Sequence, residues 1–458
     1  VLAAAALASL AVGQGHAAFD PARPHLLIDS AINWPDADQW RQALAESRWI
    51  DQPEASNSAS TAMPLVLENG LLFLRRYREY EFQLAMRLRA IAAQTPETSG
   101  IATIAPLFEI LFPDARDGDD RQVHAAAIAL LHALLLVTGG PGTGKTTTIT
   151  RLVLLLIAQA QVSGEVLPRS ARAAPTGRAA ERMAESLRNA IEPLRGMDGV
   201  DATLCDALPT QASTLHRLLG TIPDSPRFRF DADNPLPFDI VVVDEASMVD
   251  LPLMCKLVEA VPPGARLVLL GDPDQLPSVE AGDVLAAILA AAGNGDSLVI
   301  PPSLIPLLGG RDATYVDERT TLSGHHVRLL RGYRQTSTLD LAPLATAVRD
   351  GDADTAIHLL RSGQLAGVHF HENGYDPLQL QRDVLLAHWR ALADIDDPRL
   401  ALAEASRLRL LTAVREGPQG ARGLNARIEE ALAGNRGPAY FQGRLLLVTE
   451  NSHRQRLF

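Results

Sequence analysis

Residues 139–146, Gly-Gly-Pro-Gly-Thr-Gly-Lys-Thr, have the types and the spacing that hold a phosphate chain. Gly139, Gly140, Gly142 and Gly144 free the backbone to curl until its N–H groups converge on an anion, with Pro141 and Thr143 between them. Lys145 then supplies a compact charge for β- and γ-phosphates, and the Thr146 hydroxyl is of the kind that ligates Mg²⁺. Thr146 and Thr147 open a helix whose positive end favours the same anion. Only Lys145 and Lys256 among the 42 Lys plus Arg residues are lysine, so a chain that otherwise uses arginine keeps an ammonium at this position. The chemistry expected is binding of a nucleoside triphosphate.

A second constellation is FDIVVVDEASMVD, 238–250. Its apolar run predicts a buried strand that delivers Asp244 and Glu245 to the carboxyl edge of a sheet, where open α/β folds bind ligands. Asp244 suits the Mg²⁺ shell, and Glu245 suits general-base work on an attacking water. The run ARLVLLGDPDQLPSV repeats the design and ends in Asp272 and Gln275, whose amide can both donate to and accept from a γ-phosphate and its water.

Weaker signals surround these. Thr176 and Arg178 in APTGRAA follow a weak strand and open an Ala-rich helix, a place that can hold a backbone phosphate or serve as a plain turn. His216 in STLHRLLG can touch nucleic acid or simply pack beside its leucines. Gln122, seventeen residues before Gly139, has an amide able to read adenine, or is linker. Arg334 closes the run VRLLRGYRQ; if that strand belongs to a second domain, Arg334 can act as an arginine finger, and otherwise it is a surface arginine.

The elements that must position these residues are strands alternating with helices around a parallel sheet. Before them, VLAAAALASLAVG reads as a buried helix and PLVLENGLLFLRRYREYEFQLAMRLRAI as a short hairpin leading into an amphipathic helix. The polar segment 113–122 reads as a linker, since it lacks the order of a calcium loop. Domains are therefore expected at 1–112 (mainly helical, docking), 113–325 (a parallel-sheet domain with the phosphate loop) and 326–458 (a further domain). A net charge of -12 excludes a generally basic surface, so nucleic acid would meet a local arginine groove. Cys205 and Cys255 lie in no C-x-x-C pair, which argues against a disulfide framework or zinc and for a reducing cytoplasm.

Taken in order, GGPGTGKTTT, APTGRAA, STLHRLLG, VVVDEASM, GDPDQLPSV and LLRGYRQ resemble the superfamily-1 DNA helicases, and most closely the alpha subunit of exodeoxyribonuclease V, the RecD family. SLAVGQGHAAFD and LLTAVREGPQGARGLN extend the resemblance across nearly the whole chain. It implies two RecA-like domains, ATP and Mg²⁺ as cofactors, and 5′→3′ translocation on single-stranded DNA at DNA ends. It also implies beta and gamma subunit partners in a complex that processes double-strand breaks. Carried over by residue, it gives Lys145 and Thr146 for phosphate and Mg²⁺, Asp244 and Glu245 for metal and water, and Gln275 for γ-phosphate sensing. Arg334 becomes the finger, Thr176, Arg178 and His216 DNA contacts, and Gln122 the adenine reader. Arg178 stands where the family commonly has Lys. The family's last motifs have no counterpart here, so the sequence is expected to be a piece of a longer chain that, alone, hydrolyses ATP slowly. Two other classes stay open. A P-loop kinase or small-molecule NTPase has no use for GDPDQLPSV, and a non-catalytic scaffold has no need of intact motor motifs.

Overall fold

Residues 1–28, 32–53, 63–113, 121–140, 142–275, 278, 281–293, 295, 322–330, 341–372, 376–434, 438 and 440–447 are described by a computed structural model. The chain divides into two units, Val1–Gln335 and Thr336–Phe458.

The first unit opens with the expected helix α1 (Leu2–Gly13), which buries Ala4, Leu7, Ala8 and Ala11 along one face. It packs on a four-stranded sheet, order β1-β4-β3-β2, made of β1 (Ala18–Phe19), β2 (Ile50–Asp51), β3 (Leu65–Glu68) and β4 (Leu71–Leu74). The β3–β4 hairpin turns on Asn69 and Gly70, at φ 51 and 77, the two-residue loop whose twist matches that of its strands. Helix α2 (Ala37–Ala45) is capped by Asp36 and lays Trp40 against Phe19, ring centroids 5.6 Å apart.

The N-terminal part is mainly helical, as expected, and adds to the expected hairpin two further strands, β1 and β2, which are two residues long and too short to leave an alternating signature. The sequence boundary at 112 dissolves. Helix α3 (Arg75–Ala92) buries Leu84, Leu88 and Ile91 in the same core as Leu134 and Val241, and α4 (Ala105–Leu111) sends Phe108 and Leu111 into the other core with Val137 and Val242. Polarity at 113–122 marks an exposed connection, but where a helix face is buried decides to which core it belongs.

The central sheet has six strands, all parallel, in the order β10-β5-β9-β8-β6-β7. They are β5 (Leu134–Gly139), β6 (Ser170–Ala174), β7 (Ser213–Thr214), β8 (Ile240–Val243), β9 (Arg266–Gly271) and β10 (His326–Leu329). The connecting helices are α5 (Arg121–Leu131), α6 (Lys145–Val162), α7 (Gly177–Arg195), α8 (Ala202–Asp206), α9 (Leu215–Leu219), α10 (Leu251–Ala260) and α11 (Val284–Ala292). β5 and β8 are buried throughout, as the unbroken runs LLLV and IVVV require for strands covered on both faces. Parallel strands put every carboxyl end on one edge, and the motifs after β5, β6, β8 and β9 sit there. β10 pairs with β5, His326 opposite Leu136 through Leu329 opposite Gly139. The strand assigned to a second domain from 326 onward therefore belongs to the first sheet, because its backbone groups are satisfied there.

In the second unit the described elements are α12 (Ala342–Arg349), α13 (Ala353–Ser362), α14 (Pro377–Leu380), α15 (Arg382–Ala391), α16 (Pro398–Ala405) and α17 (Ala421–Ala433), with Leu378, Leu386, Leu424 and Ile428 as core. No strand occurs among its described residues. The apolar run Leu445–Leu447 is exposed coil, since a strand exists only where a neighbour takes up its hydrogen bonds.

Candidate functional site

The phosphate loop joins the buried β5 to α6. Gly142 and Gly144 take φ of 81 and 82, the left-handed region that a side chain would strain. Gly139 meets a different demand: a Cβ there would lie 2.8 Å from the Leu329 carbonyl oxygen and 2.7 Å from Thr143 Oγ1. Thr143 Oγ1 donates to the Gly140 carbonyl at 2.9 Å, tightening the turn. Lys145 Nζ donates to the carbonyls of Gly139 and Gly140, which holds the ammonium at the loop. Gln122 is nearly buried at the start of α5, and its Nε2 donates to the Thr143 carbonyl at 3.3 Å. Sequence reading missed this brace on the loop, because nothing in the spacing of a glutamine and a glycine turn specifies it.

Asp244 and Glu245 follow β8. The Asp244 N–H still pairs with the Ala173 carbonyl at 2.9 Å, so the carboxylate is fixed by the sheet itself. Asp244 Oδ1 accepts from the Glu245 N–H at 2.9 Å. Glu245 stands at φ 53, a left-handed conformation uncommon for a residue with a side chain and concentrated at functional positions. Burial pushes the Asp244 carboxyl up, partly offset by the Glu245 N–H and Lys145. Burial also raises Glu245, reinforced by the neighbouring Asp244 charge and opposed by Lys145. Both carboxyls therefore favour a cation beside them. Asp272, buried at the end of β9, accepts from Gln275 Nε2 at 3.3 Å and fixes that amide at the loop's start.

One cleft of about 1000 Å³ is lined by Lys145, Thr146, Thr147, Asp244, Glu245 and Gln275, together with Gln122, Gly140, Gly142, Thr143, Gly144, Thr176 and Arg178. Four separate motifs thus converge on one space. Thr176 also caps α7, accepting from the Ala179 N–H at 3.2 Å. His216 is not among the residues lining the cleft; it is exposed on α9, edge-on to Phe228 with ring centroids 5.7 Å apart. Pro141 and Arg334 lie outside the described residues. Arg151 and Arg182 line the cleft as well. Arg182 lies one helical turn beyond Arg178, the i,i+4 spacing that could have revealed it. Among the described residues no group of three or more His, Cys, Asp or Glu could hold a metal. The pair Thr146 and Asp244 suits Mg²⁺, which takes few protein ligands and completes its shell with phosphate oxygens and water. Among the described residues no helix is long and apolar enough to cross a membrane.

A family model described as an AAA domain matches residues 122–281, from Gln122 to just past the Gln275 loop. Over 435 residues the chain is 38% identical to the RecBCD enzyme subunit RecD of Mycolicibacterium smegmatis, covering 93% of this chain and 68% of that one. This chain belongs to the RecD family. The RecBCD enzyme subunit RecD of Haemophilus influenzae is 29% identical, covering 94% of this chain and 70% of its own length. The ATP-dependent RecD2 DNA helicase of Deinococcus radiodurans is 40% identical over 225 residues, 49% of this chain and 27% of that protein. This RecD-family chain thus spans about two thirds of the length of its RecD relatives. The span matched by the AAA model carries most of the residues that line the cleft.

Proposed function

We propose that this chain is an ATP-dependent DNA helicase motor, the alpha subunit of an exodeoxyribonuclease V complex, translocating 5′→3′ on single-stranded DNA from DNA ends. The observation that carries the reading is the convergence of Lys145, Thr146, Asp244, Glu245 and Gln275 on one cleft. The names of the relatives, subunits of a RecBCD enzyme and a DNA helicase, support the coupling to DNA and the beta and gamma partners.

In this reading the loop N–H groups and Lys145 hold the β- and γ-phosphates, and Gln122 braces the loop while its amide borders the base. Thr146 and Asp244 hold Mg²⁺, which when bound neutralises charge on the phosphate oxygens. Glu245 takes the proton of the attacking water; its raised carboxyl suits a base that must accept one. Gln275, held by Asp272, senses the γ-phosphate, and Arg334 supplies the finger. Thr176, Arg178 and His216 face DNA from the ends of β6 and β7. A kinase would keep the loop and acids without the Gln275 segment. The deciding experiment is ATP hydrolysis with and without single-stranded DNA: stimulation of about tenfold or more is expected, and hydrolysis indifferent to DNA would overturn the reading.

A further inference from the structure

β10 is a four-residue edge strand, yet it is tied to the phosphate loop by more than its ladder. His326 is buried, and its ring reaches across to β5. Nε2 lies 2.8 Å from Thr138 Oγ1, and Nδ1 lies 2.8 Å from the Gly293 carbonyl after α11. A carbonyl can only accept, so Nδ1 carries a proton, and in the neutral ring Nε2 accepts from the Thr138 hydroxyl. Gly295 closes over the ring so tightly that a Cβ there would stand 2.7 Å from Nδ1. The imidazole is therefore fixed on both nitrogens and one flank.

Thr138 is the residue before Gly139, the first glycine of the loop, and is 1% exposed. Three residues on from His326, the Leu329 carbonyl presses against Gly139 closely enough to exclude a side chain. The Gly139 carbonyl in turn holds Lys145 Nζ. The same strand reaches the other parts of the site. Arg328 Nη2 lies 3.8 Å from Asp274 in the Gln275 loop, and Arg121, the neighbour of Gln122, donates to the Arg328 carbonyl at 3.3 Å.

We infer that His326, through Thr138, is a positioning residue for the phosphate loop: it fixes β10 against β5 and so sets where Gly139 and Lys145 stand. The inference rests on reading residues 139–146 as a phosphate loop, and it goes beyond that reading by giving the neighbouring strand a share in the loop's geometry.

The test compares Thr138→Val, which keeps the shape and removes the donor, with Thr138→Ser, which keeps the hydroxyl. Two readouts are taken on the full chain. Amide hydrogen exchange is followed by mass spectrometry over 139–145 and 326–330, without nucleotide. In Thr138→Val exchange there should rise about tenfold, in Thr138→Ser it should stay parental, and in a His326→Phe background Thr138→Val should add little, because the contact it removes is already gone. Equal exchange in the Val and Ser variants, or additive effects, would overturn the inference. In ATP hydrolysis, Thr138→Val should lose about tenfold in kcat with KM within about twofold, since small misplacements of a catalytic group act on rate. A raised KM at parental kcat would count against it. A parental chain that hydrolyses no ATP would bear on the proposed function alone, and the exchange readout would still decide the role of His326.

Discussion

At the scale of single residues, the two adjacent acids divide one task by their backbone. Asp244 continues the sheet hydrogen bonding, whereas Glu245 turns into the left-handed region; both are half-buried and line the cleft. The first geometry suits a fixed metal ligand and the second a base that meets water. Glu245→Gln is therefore expected to bind nucleotide at near-parental affinity and to hydrolyse it about 10²-fold or more slowly. Asp244→Asn is expected to weaken Mg²⁺-dependent nucleotide binding itself. Equilibrium binding of a fluorescent ATP analogue, titrated with Mg²⁺, separates the two; identical binding defects would refute the division. The same pair was legible in the sequence by type and position, but the positive φ of Glu245 was not, because it arises from how β8 hands the chain to Ala246–Met248.

At the scale of elements, β6 contains a conflict. Arg172 stands mid-strand, 3% exposed, with no hydrogen-bond partner among the described residues for any guanidinium nitrogen, and burial pushes it down to about 9. Its neighbours Ala171 and Ala173 face one core, so alternation turns Arg172 to the opposite face, where Val242 pairs beside it. A buried charge without a partner costs stability, and replacing buried ionic groups by apolar side chains of similar volume commonly gains about 1–4 kcal/mol. Arg172→Met is expected to raise Tm; a lowered Tm in scanning calorimetry would show that the guanidinium contributes packing that outweighs its desolvation. Nothing in the structure explains why arginine stands there.

At the scale of the whole molecule, stability should depend on pH through half-buried His132 and buried His325. His132, between α5 and β5, meets His325 edge-on at 4.5 Å where the chain enters β10. Burial, with the His325 and Arg266 charges, pushes His132 down to about 4 from the ordinary 6.5, and burial lowers His325 as well. Between these values the unfolded chain binds the proton that the folded chain refuses, so the folded state loses ground there. The contribution is fully present above about pH 6.5 and is lost as pH falls towards 4. Tm should therefore drop between pH 7 and 5, and His132→Phe should flatten that slope; an unchanged slope in the variant would refute the assignment.

The sequence by itself determined the loop, the acids, the parallel order of strand and helix, and the β3–β4 hairpin, because each is written in local types: glycines before Lys145, apolar runs ending in Asp244 or Gly271, and Asn69-Gly70 between two short apolar runs. It did not determine which core each helix joins. α3 and α4 carry apolar faces that fit many partners, and only tertiary packing sends them to the central sheet, moving the boundary expected at 112. Nor did it determine the neighbour of the phosphate strand. β10, His-Val-Arg-Leu, has the same short signature wherever it pairs, and its place beside β5 is decided by contacts far apart in sequence, His326 to Thr138 and Arg121 to the Arg328 carbonyl. Local propensity fixes what an element is, while the element beside it is fixed by burial and by hydrogen bonds that close only once the whole unit has folded.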